Sequence, residues 1–363
     1  MTVAKAPLLN QKQKHRALTA SDDSLVDVDF RAPPIVKRKC GRSGLIVIAA
    51  ICFFIILSIF ARLMYASILG QPFLCLSSDQ NSLKHSSKSD HTKQQPTNLH
   101  IRGTKRRLPQ CIVIGVRKCG TRALLEFLNL HPDVNAAMEE IHFFDNDDNY
   151  KYGLDWYRKR MPYSFPHQVT IEKSPAYFIT EEVPQRIYAM NSSIKLLLIV
   201  RNPTVRTISD YTQIHYNKLA RNKSHQSFEQ LAIDQVTGKV NLHLKAIRTS
   251  IYHRHMERWL EIFPASQVLI VDGDELIRNP IPQIKRVEKF LGLAHRITRE
   301  NFYFNETKGF YCMRNEGQDH CLGTGKGRKH PRVHPEVMEK LNNFFRPHNE
   351  RFFEMTGTYI DWP

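Results

Sequence analysis

The sequence predicts an α/β fold, a parallel β-sheet flanked by helices, occupying residues 108–363 and preceded by one transmembrane helix. Three observations carry this. Four short aliphatic runs, 111–116 (CIVIGV), 169–171, 195–200 (KLLLIV) and 268–271 (VLIV), have the length and branching of strands buried on both faces. Helix-like stretches follow most of them, at 121–130, 203–215, 246–263 and 282–291, and alternating strand and helix implies a parallel sheet. The first run ends in a Gly- and Lys-bearing turn that opens at once into a helix, and ligands of such sheets bind at the carboxyl ends of the strands.

Ahead of this texture the chain is organised differently. Residues 1–43 are polar, without apolar periodicity, and read as a cytosolic tail. Residues 44–61 form an uncharged apolar run, and the apolar character resumes after Arg62 to residue 69, enough to span a bilayer core. The tail holds nine basic residues, among them Lys37, Arg38, Lys39 and Arg42 at the border, and none follows Arg62 for 20 residues. The positive-inside bias therefore makes 44–69 a transmembrane signal-anchor helix with the rest of the chain luminal. Residues 70–107, rich in Ser, Lys, Gln and His, lack the apolar side chains for a core and read as a luminal stem.

The chain has 52 Lys and Arg against 35 Asp and Glu, a net charge of +17, which calls for a polyanionic partner: nucleic acid, an anionic membrane or a sulfated glycan. Luminal topology sets nucleic acid aside. Of the seven cysteines, Cys312 and Cys321 lie nine apart in a luminal, loop-like stretch and are the pair expected to bond; Cys75 in the stem is left over. Sequons at Asn191, Asn222 and Asn305 are available for glycosylation in a lumen.

Two segments suit anions. In Gly115-Val116-Arg117-Lys118-Cys119-Gly120-Thr121-Arg122, a strand end, a glycine, a lysine and a hydroxyl precede a helix N-terminus, where backbone N–H groups point at a ligand. A nucleoside triphosphate loop requires Lys directly after the second Gly. Here Lys118 precedes Gly120, so that motif is broken, whereas a 5′-phosphosulfate has no γ-phosphate to reach. The second segment, 195–209, places Arg201 at a strand end, Asn202 at an N-cap, Pro203 at the first helical position and Ser209 two turns in. Arg201 and Ser209 either meet on a second phosphate or are a strand-end arginine and a solvated serine.

Taken together, residues 118–125 (KCGTRALL), 140–145 (EIHFFD), 172–178 (EKSPAYF), 199–213 (IVRNPTVRTISDYTQ), 309–312 (GFYC) and 326–330 (KGRKH) resemble the heparan sulfate glucosamine 3-O-sulfotransferases, a likeness running over essentially all of 108–363. The resemblance implies a P-loop-like sulfotransferase domain, the sulfuryl donor 3′-phosphoadenosine 5′-phosphosulfate (PAPS), heparan sulfate chains as acceptor, and a single-pass type II protein of the Golgi membrane. It implies that Lys118, Cys119, Gly120, Thr121 and Arg122 hold the 5′-phosphosulfate. Arg201, Ser209, Tyr311 and the run Lys326, Gly327, Arg328, Lys329, His330 would grip the 3′-phosphate and adenosine side, and Cys312–Cys321 would close the loop carrying them. Relatives usually have Gly where this chain has Cys119, so a thiol is expected beside the sulfate, with strain on the order of 1 kcal/mol or more should that position need a positive φ.

For the chemistry, Glu140 is the expected general base, its pKa raised by the neighbouring Phe143 and Phe144 rings; His142 would position the acceptor or share the proton, and Asp145 would orient the network. Lys118 would stabilise the leaving oxygen. The same resemblance implies that Glu140, Ile141, His142, Phe143, Phe144, Asp145 and Asn146, with Lys173, Ser174, Pro175, Ala176 and Gln213, line the acceptor cleft, where Lys326–Arg328 would also reach the glycan with charges suited to sulfates and carboxylates. Trp259 and Leu260 either flank a sugar ring or belong to a helix core. The acidic cluster Asp145, Asp147, Asp148, Asn149 fails as a calcium loop, since Tyr150 stands where Gly must be and Trp156 where the bidentate Glu belongs. No Cys/His cluster has zinc spacing, so no metal is expected. Two alternatives remain: a sulfotransferase of different regiospecificity, and a catalytically silent heparin-binding membrane protein, suggested by the charge and by Cys119.

Overall fold

The computed structural model describes residues 102–363 apart from Glu316 and Thr324; the predicted tail, anchor and most of the stem lie outside the described residues. Among the described residues no helix is long and apolar enough to cross a membrane.

The centre is a five-stranded sheet of β1 (Cys111–Gly115), β2 (Val134–Ala136), β3 (Val169–Lys173), β4 (Lys195–Val200) and β5 (Val268–Asp272). Every pairing is parallel and the order is β2-β3-β1-β4-β5. The predicted runs account for four strands. The fifth, Val134–Ala136, is too short and polar to stand out. All of β1 is buried, as is β4 beyond Lys195, which is why these runs are aliphatic on both faces. Strand order reverses on either side of β1, so the crevice at its carboxyl end is the topological switch point.

Helix α1 (Thr121–Leu128) leaves β1 directly, and α2 (Pro203–Leu219) leaves β4, its start capped by the Asn202 side chain accepting from the Val205 N–H at 3.1 Å. The single helix predicted at 246–263 is two, Lys245–Ser250 and α3 (Tyr252–Leu260), parted at Ile251. Ser250 turns its hydroxyl to the Pro203 and Ala246 carbonyls, tying the break to the start of α2. After β5 come α4 (Gly273–Arg278) and α5 (Pro280–Leu291). An antiparallel sheet of β6 (Phe302–Asn305), β7 (Phe310–Asn315) and β8 (Gln318–His320), and the long helix α6 (Pro335–Thr356), complete the chain. A second apolar cluster, with Ile208 and Tyr211 of α2 packed against Phe228, Ile247, Leu341 and Phe345, fixes α2 from behind.

Candidate active site

At the switch point lies a cavity of about 650 Å³, lined by Lys118, Gly120, Thr121 and Arg122 on one wall, Glu140 and His142 on another, and Arg201, Ser209, Gln213, Tyr311, Lys326–Arg328 and His330 on the rest. The loop after β1 is bent by two left-handed residues, Lys118 at φ 75° and Gly120 at φ 105°. Helix α1 has no side-chain cap, so its first N–H groups are available to an anion. Gly273 presses on the loop from outside: a Cβ there would lie 2.3 Å from the Cys119 carbonyl oxygen and 2.9 Å from that of Val200.

The cavity has a surplus of positive charge. The Lys118 ammonium is pushed down to about 8, first by burial and then by Lys326, with Arg117 and Arg328 adding to it and Asp210 opposing. Arg201 donates from Nε to Asp274 at 2.7 Å, which aims its guanidinium along the wall. His330 is held below the usual imidazole range by burial and by Arg201 and Lys118. Gln213 bridges two cations, accepting from Arg328 at 2.6 Å and from Lys118 at 3.5 Å. Crowded cations beside uncapped backbone N–H groups fit a phosphosulfate and a second phosphate. The Cys312–Cys321 disulfide is present and ties β7 to the segment leading to Lys326.

Facing this cradle, Glu140 accepts from the Lys173 ammonium, and its other oxygen stands 3.5 Å from Nε2 of His142. Nδ1 of His142 pairs with Asp145 at 2.9 Å. His142 itself sits at φ 50°. The Glu140 carboxyl is pulled down to about 2, by the His142 hydrogen bond first and Lys173 next, against partial desolvation. His142 is raised to about 10 by Asp145 and then Glu140. Burial lowers Lys173 in spite of its pair.

Several expected roles are corrected. Phe143 and Phe144 do not shield Glu140 and do not raise its pKa; both are buried, Phe143 stacking on Tyr157 at 4.5 Å. Cys119 neither carries a positive φ nor faces the sulfate side: the thiol is fully buried with Sγ 3.6 Å from the Tyr252 hydroxyl, and burial pushes it up to about 11. Trp259 belongs to the core, fully buried and donating to the Phe178 carbonyl at 3.1 Å, and Leu260 is partly buried against the same core. Lys329 is exposed and lies outside the cavity lining. Ile141 and Ser174 are buried, Asn146 caps the short helix Asp147–Tyr150, and only Pro175 and Ala176 of the 174–176 turn reach the cavity. Of the sequons, Asn222 is exposed and Asn191 half-buried, while Nδ2 of Asn305 donates to Cys321 Sγ at 3.8 Å.

Sequence reading missed residues that build the site from behind. Arg206, fully buried, donates to the Arg117 carbonyl at 3.1 Å, to Asp210 at 3.2 Å and to Ser250 at 2.6 Å, locking α2 to the phosphate loop. Asp274 accepts from both Arg201 and the Asn202 N–H. Neither carried a signal in the sequence, since Arg206 shares its helix face with Ser209, Asp210 and Gln213 as a solvated arginine would.

The parallel sheet with an anion cradle at its switch point and an ionised carboxylate opposite define a sulfotransferase: residues 108–356 match the sulfotransferase domain family, which implies a PAPS-type sulfuryl donor. The bacterial sulfotransferase of Alicyclobacillus acidocaldarius shares the fold, with a TM-score of 0.53 over 70% of this chain and 98% of that one at 21% identity. The chain is 56% identical over 293 residues to mouse heparan sulfate glucosamine 3-O-sulfotransferase 5, covering 80% of this chain and 84% of that protein. Identity to the human protein of the same name is also 56%, over 78% and 82%. The chain belongs to the heparan sulfate glucosamine 3-O-sulfotransferase family.

Proposed function

We propose that this protein transfers a sulfuryl group from PAPS to the 3-hydroxyl of a glucosamine residue in heparan sulfate, with Glu140 as general base. The observation that carries the reading is the meeting, across one cavity, of the Lys118 cradle with Glu140 and His142, which Lys173 and Asp145 hold from behind. PAPS, when bound, supplies the sulfuryl group and departs as 3′-phosphoadenosine 5′-phosphate. Lys118, Thr121 and Arg122 hold its phosphosulfate; Arg201, Ser209, Tyr311 and Lys326–Arg328 hold the nucleotide side. Glu140 takes the proton of the acceptor hydroxyl as that oxygen bonds to sulfur, and Lys118 sets its charge against the oxygen that leaves with the bonding pair. His142, held by Asp145, and the buried Lys173 keep the carboxylate charged and aimed, and Gln213 with Arg328 meets the acidic groups of the glycan.

The same reading puts residues 44–69 across the Golgi membrane with the catalytic domain luminal; a glycan at Asn222, removable by a glycosidase, would support that orientation. The silent-binder alternative rests on the net charge of +17 alone, since the Cys119 thiol faces the core. The test is sulfate transfer by the detergent-solubilised full chain from labelled PAPS to N-sulfated heparan sulfate, followed by disaccharide analysis. Glu140→Gln is expected to lower kcat about 10²- to 10⁴-fold. Sulfate at another position would overturn the regiochemistry, and full activity of the variant would overturn the base.

A further inference from the structure

The segment that carries Glu140 and His142 is not a regular element, and its backbone is held by a buried polar cluster that the mechanism so far does not use. Three consecutive N–H groups point into it. That of Ile141 goes to the Glu172 carboxylate, that of His142 to Ser174 Oγ at 3.0 Å, and that of Phe143 to the Tyr177 hydroxyl at 3.0 Å. Ser174 in turn donates to Glu172 Oε1 at 2.6 Å, and Tyr157 donates to Oε2 at 3.3 Å. From the other side Asn149 Nδ2 donates to the carbonyls of Ile141 and His142, at 3.3 and 2.9 Å. Glu172, Ser174, Tyr157 and Tyr177 are all fully buried.

We infer that Glu172 is a positioning residue for the transfer reaction: through the Ile141 N–H and through Ser174 it fixes where the Glu140 and His142 side chains stand at the cavity. The inference deepens the reading of Glu140 as base and rests on it. His142 at φ 50° is a conformation that a histidine adopts only when its neighbours over-determine it, and the Glu172 cluster supplies that determination.

The cluster is complete only with Glu172 ionised. Every group that faces the carboxyl, Ser174 and Tyr157 through their hydroxyls and Ile141 through its N–H, donates to it. A protonated Glu172 adds a fourth donor where every facing group already donates, so a hydroxyl must turn its hydrogen away to accept from the acid. The charged groups around it are few. Lys173 on the same strand favours the anion; Tyr157 and Tyr177, both with proton affinities raised well above the usual phenol range, stay neutral. Burial lifts the Glu172 carboxyl to about 7, opposed by the Ser174 hydrogen bond and then by the Ile141 N–H. The ordered catalytic segment is therefore the state above about pH 7, and it loosens as pH falls through that value.

The experiment compares the wild-type full chain with Glu172→Gln and Ser174→Ala in pH profiles of kcat, with donor affinity and melting temperature measured alongside. The wild type is expected to show an acidic limb near pH 7. In Glu172→Gln that limb disappears, kcat falls about 10- to 100-fold and the Kd for 3′-phosphoadenosine 5′-phosphate is unchanged. Ser174→Ala loses a similar factor in kcat, but its limb moves to higher pH, because the hydrogen bond removed was holding the Glu172 carboxyl down. A wild-type kcat and an unchanged acidic limb in Glu172→Gln would overturn the positioning role while Glu140→Gln remains inactive. A limb that stays put in Ser174→Ala would overturn it even where Glu172→Gln fails to fold. Full activity of Glu140→Gln would overturn the base and, with it, the role of Glu172.

Discussion

Donor affinity should depend on pH through one lysine. The Lys118 ammonium, crowded by Lys326, Arg117 and Arg328 and partly desolvated, titrates at about 8 rather than in the ordinary lysine range. With that value the charged fraction falls from about three-quarters at pH 7.5 to about one-tenth at pH 9, so the Kd for an anion that needs the ammonium rises about eightfold. An unperturbed lysine would lose only a few per cent of its charge over the same interval. The sign follows from the cation being the binding form: affinity is full below the free-state pKa and declines above it. Isothermal titration with 3′-phosphoadenosine 5′-phosphate reads this directly, because phosphate monoesters with a second pKa of about 6 are fully ionised throughout the window. Lys118→Arg is the control: a guanidinium stays protonated, so its Kd should be flat with pH even if the fit is poorer. A flat profile in the wild type, or the same eightfold slope in Lys118→Arg, would refute the assignment of the titration to Lys118.

Two further expectations concern the loop itself. Gly273→Ala puts a methyl against the Cys119 and Val200 carbonyls, which are backbone and cannot swing aside, so chemical denaturation should show a loss of about 1–3 kcal/mol together with weaker donor binding. Cys119→Gly, far from relieving a strained loop, removes a buried side chain from the Tyr252 contact and should cost about 1–2 kcal/mol; native-state labelling with a thiol reagent should leave Cys119 untouched, since the thiol is inaccessible and protonated.

What the sequence made legible was the part of the fold governed by local pattern. The runs at 111–116 and 195–200 are aliphatic because both faces of those strands are covered, and the N-cap at Asn202 with Pro203 behind it announces α2 without reference to anything distant. Strand Val134–Ala136 and the antiparallel sheet of 302–320 were not legible, because their pairing is long-range and their side chains are mixed. In the site, residue types survived better than environments. Lys118, Arg201, Ser209 and Tyr311 do line one cavity. The direction of Glu140 did not follow from its neighbours: adjacency to two phenylalanines suggests desolvation, but those rings turn into the core and the carboxylate meets Lys173 and His142 instead. Side-chain direction on an irregular segment is set by tertiary hydrogen bonds from Glu172, Ser174 and Tyr177, and no periodicity encodes them.

That environment bears on how a carboxylate with a pKa of about 2 can act as a base. An alcohol in its ground state would not give its proton to so weak a base. Once the oxygen has begun to bond to sulfur, however, the proton sits on a cationic oxygen of far greater acidity, and transfer to even a weak carboxylate becomes downhill. A weak base of this kind acts late, so its first requirement is to be ionised and aimed when the bond is advanced. The salt bridge from Lys173 and the His142–Asp145 pair meet both conditions, because they hold Glu140 charged at any pH above about 3 and restrict its rotation. The acceptor hydroxyl must then displace one partner. The His142 side at 3.5 Å is the looser of the two contacts, whereas Lys173 is buried and has no other place to go. The hydroxyl is therefore expected to enter between Glu140 and His142, which makes His142→Ala a variant that frees the carboxylate but lets it wander, lowering kcat more than it raises the acceptor KM.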